Sequence, residues 1–231
     1  MGQAVVRQIQ AHPRCKLALV VDRATRVGAL TDIDVLIDFS GTAGFDHALA
    51  LCAAQNIALV SGSTGLSAAQ LSAARTAAQQ LPLLWASNFS LAVAVLRRLT
   101  AAAAATLGAE YDVEIIETHH RHKLDAPSGT ALTLGEAVAD TRGRPLAELA
   151  RYDRHGSTAP RVPGEIGFSV VRAADVVGEH TVMFATTGER LELTHRATSR
   201  EVFARGAVQA ACWIAGRVPG WYDITDVLDR A

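Results

Sequence analysis

The sequence predicts an α/β chain of two domains, a parallel-sheet domain followed by an α+β domain with an open mixed sheet. Three observations predict it. Over the first ninety residues short apolar runs alternate with helical stretches, the pattern of a parallel sheet covered by helices on both faces. After Asn88 this alternation gives way to one long Ala-rich helix. Between 165 and 196 three strand patterns then follow with no helix between them. With 231 residues, 49% hydrophobic and 19% charged, the chain has the material to bury such cores.

Taken in order, residues 3–11 read as the body of a short helix. The run 16–21 (KLALVV) is of strand length and ends at Asp22, and 34–39 (DVLIDF) is a second such run. A helix is expected over 42–55, a strand over 57–61 (IALVS), a helix over 67–80 and a strand over 81–86 (LPLLWA). The long helix covers 91–107, and 111–118 (YDVEIIET) reads as a strand. Ser128 can cap a helix over 129–139, its hydroxyl accepting from a first-turn N–H. Residues 141–164 are polar and hold Pro145, Pro160 and Pro163, so a long loop with at most a short helix is expected. Strands follow at 165–172, 180–186 and 190–196, the last placing Leu191, Leu193 and His195 on one face. A helix over 199–215 and a short tail close the chain.

Charge and composition exclude several classes. The 22 basic and 23 acidic residues leave a net charge of −1, which gives no field to draw the chain to nucleic acid or an anionic membrane. No apolar run is expected to approach the ~20 residues that span a bilayer, and the opening MGQAVVRQIQ lacks the apolar core of a signal peptide. Cys15, Cys52 and Cys212 are far apart in sequence and odd in number, and read as reduced thiols of a cytoplasmic protein. Of the basic residues only Lys16 and Lys123 are lysine. In a chain that uses arginine wherever charge suffices, a lysine points to a titratable ammonium.

The first domain carries a nucleotide-binding pattern, the Rossmann-like arrangement in which an acid about 20 residues past a Gly-rich turn holds a ribose. Gly2 precedes Asp22 by 20 positions, which fits Gly2 as the last glycine of that turn; it fits equally a chance glycine with Asp22 as a strand-end cap. Asp22 suits the ribose diol of NADH, and the neighbouring Arg23 suits the extra phosphate of NADPH. The turns Gly62-Ser63-Thr64 and Ala86-Ser87-Asn88-Phe89 each follow an apolar run, where ligands of open α/β sheets bind. Ordinary strand-to-helix turns would look the same.

The strongest local signal is the stretch from Glu117 to Thr130, ETHHRHKLDAPSGT. Three of the eight histidines and one of the two lysines fall within five residues, between a strand and a helix. Imidazole can supply a proton near neutral pH, and Ser128-Gly129-Thr130 sets N–H groups at a helix start, a carboxylate site. Together they describe a pocket for a small anion that must be protonated. No metal is expected, since adjacent His119 and His120 point apart on a strand and no cysteine is close in sequence. A solvated basic loop remains the plain alternative.

HHRHKLDAPSGTA resembles the signature of the 4-hydroxy-tetrahydrodipicolinate reductase (dihydrodipicolinate reductase) family of diaminopimelate–lysine biosynthesis. VLIDFS, SGSTGL, ASNFSLAV, RVPGEIGFSVVRAADVVGEHTVMF and GERLELTHRATSREVFARGA fall in the family's order, so the resemblance spans the chain. It implies reduction of a cyclic, unsaturated dicarboxylate by NADPH or NADH. It implies His119 as proton donor and Lys123 as the second proton-donating, substrate-orienting group, with His120, Gly129 and Thr130 on the substrate. Asp22, Arg23, Gly62, Ser63, Thr64, Ala86, Ser87, Asn88 and Phe89 match its cofactor positions. It further implies a dinucleotide-binding domain over 1–89, a substrate-binding and tetramerisation domain over 90–200, a return to the first domain over 201–231, and a homotetramer.

Two departures qualify these expectations. The family's opening strand and most of its Gly-rich loop are missing, so the natural protein is expected to be longer by a short N-terminal segment. The stretch between Asp22 and Asp34 is also short. A chain that binds the dicarboxylate without reducing it, or another two-domain nicotinamide-dependent dehydrogenase, stands as the alternative.

Overall fold

The structure, a computed structural model, describes residues 1–22 and 30–229. It divides into two compact units: Met1–Leu91 with Arg200–Ala231, and Ala92–Ser199. The chain opens with α1 (Gly2–Ala11), which buries Ala4 and Val5. The run 16–21, expected as a strand, forms none, and Leu19, Val20 and Val21 are 46%, 53% and 38% exposed. A strand needs a neighbour to satisfy its N–H and C=O groups, and no strand pairs with this run among the described residues.

β1 (Val35–Asp38), α2 (Thr42–Gln55), β2 (Ala58–Ser61), α3 (Ala68–Ala77) and β3 (Pro82–Trp85) follow. Successive strand residues point to opposite faces. Leu36 and Leu59 pack with Phe45, Leu49 and Leu83, while Ile37 and Phe39 pack with Ala4 and Val5. Asn56 stops α2 in the left-handed region at φ 52°, and Ser67 with Gln70 forms a capping box that starts α3. The expected helix to residue 80 ends at Ala77, because Gln79 and Gln80 donate to Thr76 and Ala77 in tighter turns that deliver Leu81 to the core.

The second unit begins with α4 (Leu91–Leu107). A 3₁₀ turn prolongs it to Glu110, so Leu91–Glu110 is a helical run of 20 residues with mean hydropathy 1.4. By length and composition this corrects the expectation that no run approaches a bilayer span. Its Leu96 and Ala104 belong to the unit's core. Then come β4 (Asp112–His119), α5 (Gly129–Thr141), the short α6 (Leu146–Leu149), β5 (Ala150–Arg151), β6 (Ile166–Arg172), β7 (Gly178–Thr186) and β8 (Glu189–Ala197). Their sheet runs β5-β6-β4-β7-β8, with β4 parallel to β6 and antiparallel to β7. Val113, Ile115, Phe168, Val182 and Phe184 on its inner face pack on Leu134 and Val138 of α5.

The chain returns through α7 (Glu201–Ile214), whose Ala204 and Val208 pack on α1, and ends with β9 (Gly220–Tyr222). β9 pairs with β3, completing an all-parallel sheet of order β1-β2-β3-β9. This strand was expected as tail, since three residues beside Pro219 are too short to show a period of two.

Candidate active site

The inner face of β4 reads Val113, Ile115, Glu117, His119: two core residues, then two titratable ones. Glu117 is 1% exposed. Its Oε1 accepts from the Arg172 guanidinium at 3.0 Å and from the Ser128 N–H at 3.1 Å, and its Oε2 forms a close ion pair with His119 Nδ1. Burial by itself would raise the Glu117 carboxyl. The hydrogen bonds from His119 and Arg172, the His119 charge and the Ser128 N–H outweigh burial and hold it down to about 2.

Arg172 ends β6 directly opposite His119 in the parallel register. Besides Glu117 it donates to the carbonyls of Lys123 (3.3 Å) and Asp125 (2.6 Å), tying the loop after β4 to the buried carboxylate. Lys123 Nζ lies 2.8 Å from Asp125 Oδ1. Burial acts to raise the Asp125 carboxyl, but the Lys123 hydrogen bond and charge prevail and lower it. A cis Ala126–Pro127 bond leads into Ser128, which caps α5 as expected: its Oγ accepts from Ala131 N–H at 3.2 Å. The same Oγ is 3.1 Å from Nε2 of His180 on β7, and the His180 ring meets the His119 ring edge-on at 5.1 Å. Burial, reinforced by the His119 charge, pushes His180 down to about 3, so this ring is a neutral hydrogen-bonding partner.

His119, His120, Lys123, Gly129 and Thr130 thus lie along one continuous path from the end of β4 to the first turn of α5, with His119 and Thr130 buried and the others half-buried. Sequence reasoning missed Glu117, Arg172 and His180 as its support. A signal was present: Glu117 and His180 occupy inward strand positions that the alternation reserves for apolar residues. Glu117, His119 and His180 converge closely enough to hold a cation. Both carboxylate oxygens are already paired, however, one with a guanidinium that would repel a metal.

In the first unit the predicted cofactor residues fall at the carboxyl ends of parallel strands, Gly62, Ser63 and Thr64 after β2 and Ala86, Ser87, Asn88 and Phe89 after β3. A buried carboxylate organises these turns. Asp38, 4% exposed at the end of β1, accepts from the hydroxyls of Ser61 and Ser63 at 2.7 Å each, from Ser40 N–H at 2.9 Å, and from the Ser40 hydroxyl. The Ser63 hydroxyl also accepts from Gly41 N–H at 2.9 Å, its N–H donates to the Ser61 hydroxyl at 3.3 Å and its carbonyl accepts from Trp85 Nε1 at 3.0 Å, so Ser63 serves to fix the turn. Gly62 admits no side chain, because a Cβ there would stand 2.2 Å from the Phe39 ring. Phe89 is core, packed edge-on to Phe39 at 5.5 Å. Gly41 opens α2 at φ +74° without a side-chain cap, and nothing lies within 4 Å of where its Cβ would be. An uncapped helix start at the carboxyl end of a strand fits the polar parts of a nicotinamide dinucleotide. Asp22 is exposed, and Arg23 lies outside the described residues.

The profile described as "Dihydrodipicolinate reductase, N-terminus" matches residues 1–89, and "Dihydrodipicolinate reductase, C-terminus" matches residues 92–228. A 4-hydroxy-tetrahydrodipicolinate reductase of Alkalilimnicola ehrlichii is 54% identical over 200 residues, 87% of this chain and 75% of the relative. The protein of the same name from Hahella chejuensis is 53% identical over 199 residues, 86% of this chain and 74% of the relative. The solved structure of a dipicolinate-bound dihydrodipicolinate reductase from Paenisporosarcina sp. TG-14 shares the fold, with a TM-score of 0.73 over 96% of this chain and 92% of that one at 23% identity. With both halves matched in order and more than half of the aligned residues identical over most of its length, the chain belongs to the dihydrodipicolinate reductase family.

Proposed function

We propose that the chain reduces 4-hydroxy-tetrahydrodipicolinate to tetrahydrodipicolinate with NADPH or NADH, His119 giving the proton and Lys123 acting as the second proton-donating and orienting group. The first unit serves as the dinucleotide-binding domain and the second as the substrate-binding and tetramerisation domain. The observation that carries the reading is the buried Glu117–His119 pair at the end of β4, followed on the same chain by Lys123 and the start of α5.

The bound cofactor supplies hydride to a carbon conjugated with an imine, and negative charge builds on the partner atom. Glu117 pairs with His119 at Nδ1 and so fixes the ring, leaving Nε2 to deliver a proton. Gly178 supports this assignment, since any Cβ there would stand 3.0 Å from Nε2 and crowd it. Lys123 places an ammonium on the same loop, and the first turn of α5 offers main-chain N–H groups at Gly129 and Thr130 for a substrate carboxylate. His120 lines the approach. Asp22 and Arg23 take the ribose end of the cofactor, and the turns Gly62–Thr64 and Ala86–Phe89 take the remainder.

A homotetramer joined through the second unit's sheet completes the reading. On the face of β4 and β6 turned from the core, Ile116 and Val171 are 36% and 43% exposed, apolar surface of the kind that a partner covers. Three free cysteines support a cytoplasmic location.

The test is NADPH and NADH oxidation by this chain, with substrate generated in situ by the synthase that precedes it. His119→Ala and Lys123→Ala are each expected to lower turnover by roughly 10²–10⁴-fold while cofactor affinity is kept. Glu117→Gln is expected to lower kcat while cofactor affinity is kept. Near-normal turnover in both His119→Ala and Lys123→Ala would remove these roles. Dicarboxylate binding without substrate-dependent oxidation would favour the non-catalytic reading.

A further inference from the structure

The first unit holds a second cluster of chemistry-bearing side chains that the reduction does not use. His12 ends α1, and Pro13 and Arg14 turn the chain so that Cys15 N–H donates to the His12 carbonyl at 3.1 Å. The turn sets Cys15 Sγ 3.2 Å from His12 Nδ1. Cys212, 197 residues further on in α7, comes within 3.2 Å of Cys15 Sγ and 3.9 Å of the same Nδ1. Arg14 N–H lies 3.4 Å from the same Nδ1, a long contact that the ring gives up when its one lone pair turns to an ion. All three side chains are half-buried beside the contact of Val5 with Val208, so an ion could reach them from solvent.

We propose that His12, Cys15 and Cys212 bind one zinc-type divalent cation, with a water completing the coordination. Two thiolates and an imidazole are a soft donor set that suits zinc. A tetrahedral ion with bonds of about 2.3 Å to sulfur and 2.0–2.1 Å to nitrogen sets ligand atoms roughly 3.6–3.8 Å apart. The distances of 3.2, 3.2 and 3.9 Å need adjust by only about half an ångström to reach that geometry. A disulfide would instead require the sulfurs to close to about 2.05 Å, and it would leave the converging imidazole lone pair without a role. Binding releases the two thiol protons, so the dication and two thiolates form a neutral unit. The ion then clamps the turn after α1 to α7, a structural staple across most of the chain's length.

The experiment is a titration of the reduced, metal-stripped full chain with Co²⁺ and then Zn²⁺. One equivalent of Co²⁺ should give a thiolate-to-cobalt charge-transfer band that Zn²⁺ bleaches. Cys15→Ser and Cys212→Ser should each abolish the band, and His12→Gln should weaken affinity by more than about tenfold, by analogy with lost outer-shell partners. Cys52→Ala should leave the band intact, because Cys52 is buried on α2 in a separate core cluster. As a readout that needs no variant, Zn²⁺ should slow alkylation of Cys15 and Cys212 in the wild-type chain by more than about tenfold. Absence of a thiolate band, a band that survives in both cysteine variants, or alkylation indifferent to Zn²⁺ would overturn the proposal. So would a Cys15–Cys212 disulfide that forms in air while the reduced chain takes up no metal.

Discussion

His180 makes the stability of the second unit depend on pH in a way that can be worked out. Its ring is 3% exposed, and burial lowers it from 6.5 to about 3. The folded ring therefore stays neutral while the unfolded ring takes up a proton as pH falls through 6.5, so stability rises with pH between about 3 and 6.5 and is lost on acidification. At 1.36 kcal/mol per pH unit the whole effect is about 5 kcal/mol, of which about 2.5 kcal/mol develops between about pH 7 and about pH 4.5. Below 4.5 Glu117 adds a further loss, because its folded value of about 2 lies under its ordinary one. The assay is urea unfolding by far-ultraviolet circular dichroism across this range, for the wild type and His180→Gln. The amide can still bond Ser128 but has no proton to gain. The stability gap between the two proteins should narrow by about 2.5 kcal/mol on going from about pH 7 to about pH 4.5. Tryptophan emission is the internal control, since Trp85, Trp213 and Trp221 all belong to the first unit. Parallel pH curves for wild type and variant would refute the reasoning.

Two further predictions follow from the other sites. Asp38→Ala strands three hydroxyl groups and the Ser40 N–H, and should cost roughly 3 kcal/mol of first-unit stability by tryptophan-monitored unfolding. It should also weaken NADPH binding by at least about tenfold through the loosened turns; calorimetry showing wild-type affinity would detach Asp38 from the cofactor site. If the proposed homotetramer forms through this face, Ile116→Arg with Val171→Glu should convert it to smaller species in sedimentation velocity, and an unchanged species would exclude that sheet face as the interface.

What was legible in the sequence was what local spacing encodes. α2 lies at 42–55 as expected, because Gly41 and Asn56 bracket it with backbone conformations that a helix cannot continue. Ser128 caps α5 for an equally local reason. The run 16–21 misled because apolar composition reports burial potential, whereas a strand depends on a neighbour brought from elsewhere. The same limit hid the support of the candidate site. The stretch from His119 to Thr130 is contiguous and stood out, but Arg172 and His180 reach Glu117 and His119 only through the register of β6 and β7 on β4. Cys15 and Cys212, far apart in sequence, meet only when α7 packs on α1.

The interrupted first unit has a consequence for the order in which the protein is made. The second unit is continuous, so all its strands have been synthesised before residue 200, whereas the first still lacks α7 and β9. At about 5–20 residues per second the intervening segment occupies the ribosome for on the order of 5–20 s. Throughout that interval the β3 edge has no β9 beside it, and Ala4 and Val5 have no Ala204 or Val208 to cover them. The nascent chain is thus most prone to aggregate in its oldest part while its middle is maturing. Slower elongation through the second unit would extend this exposure, and its harm would fall on the first unit's sheet.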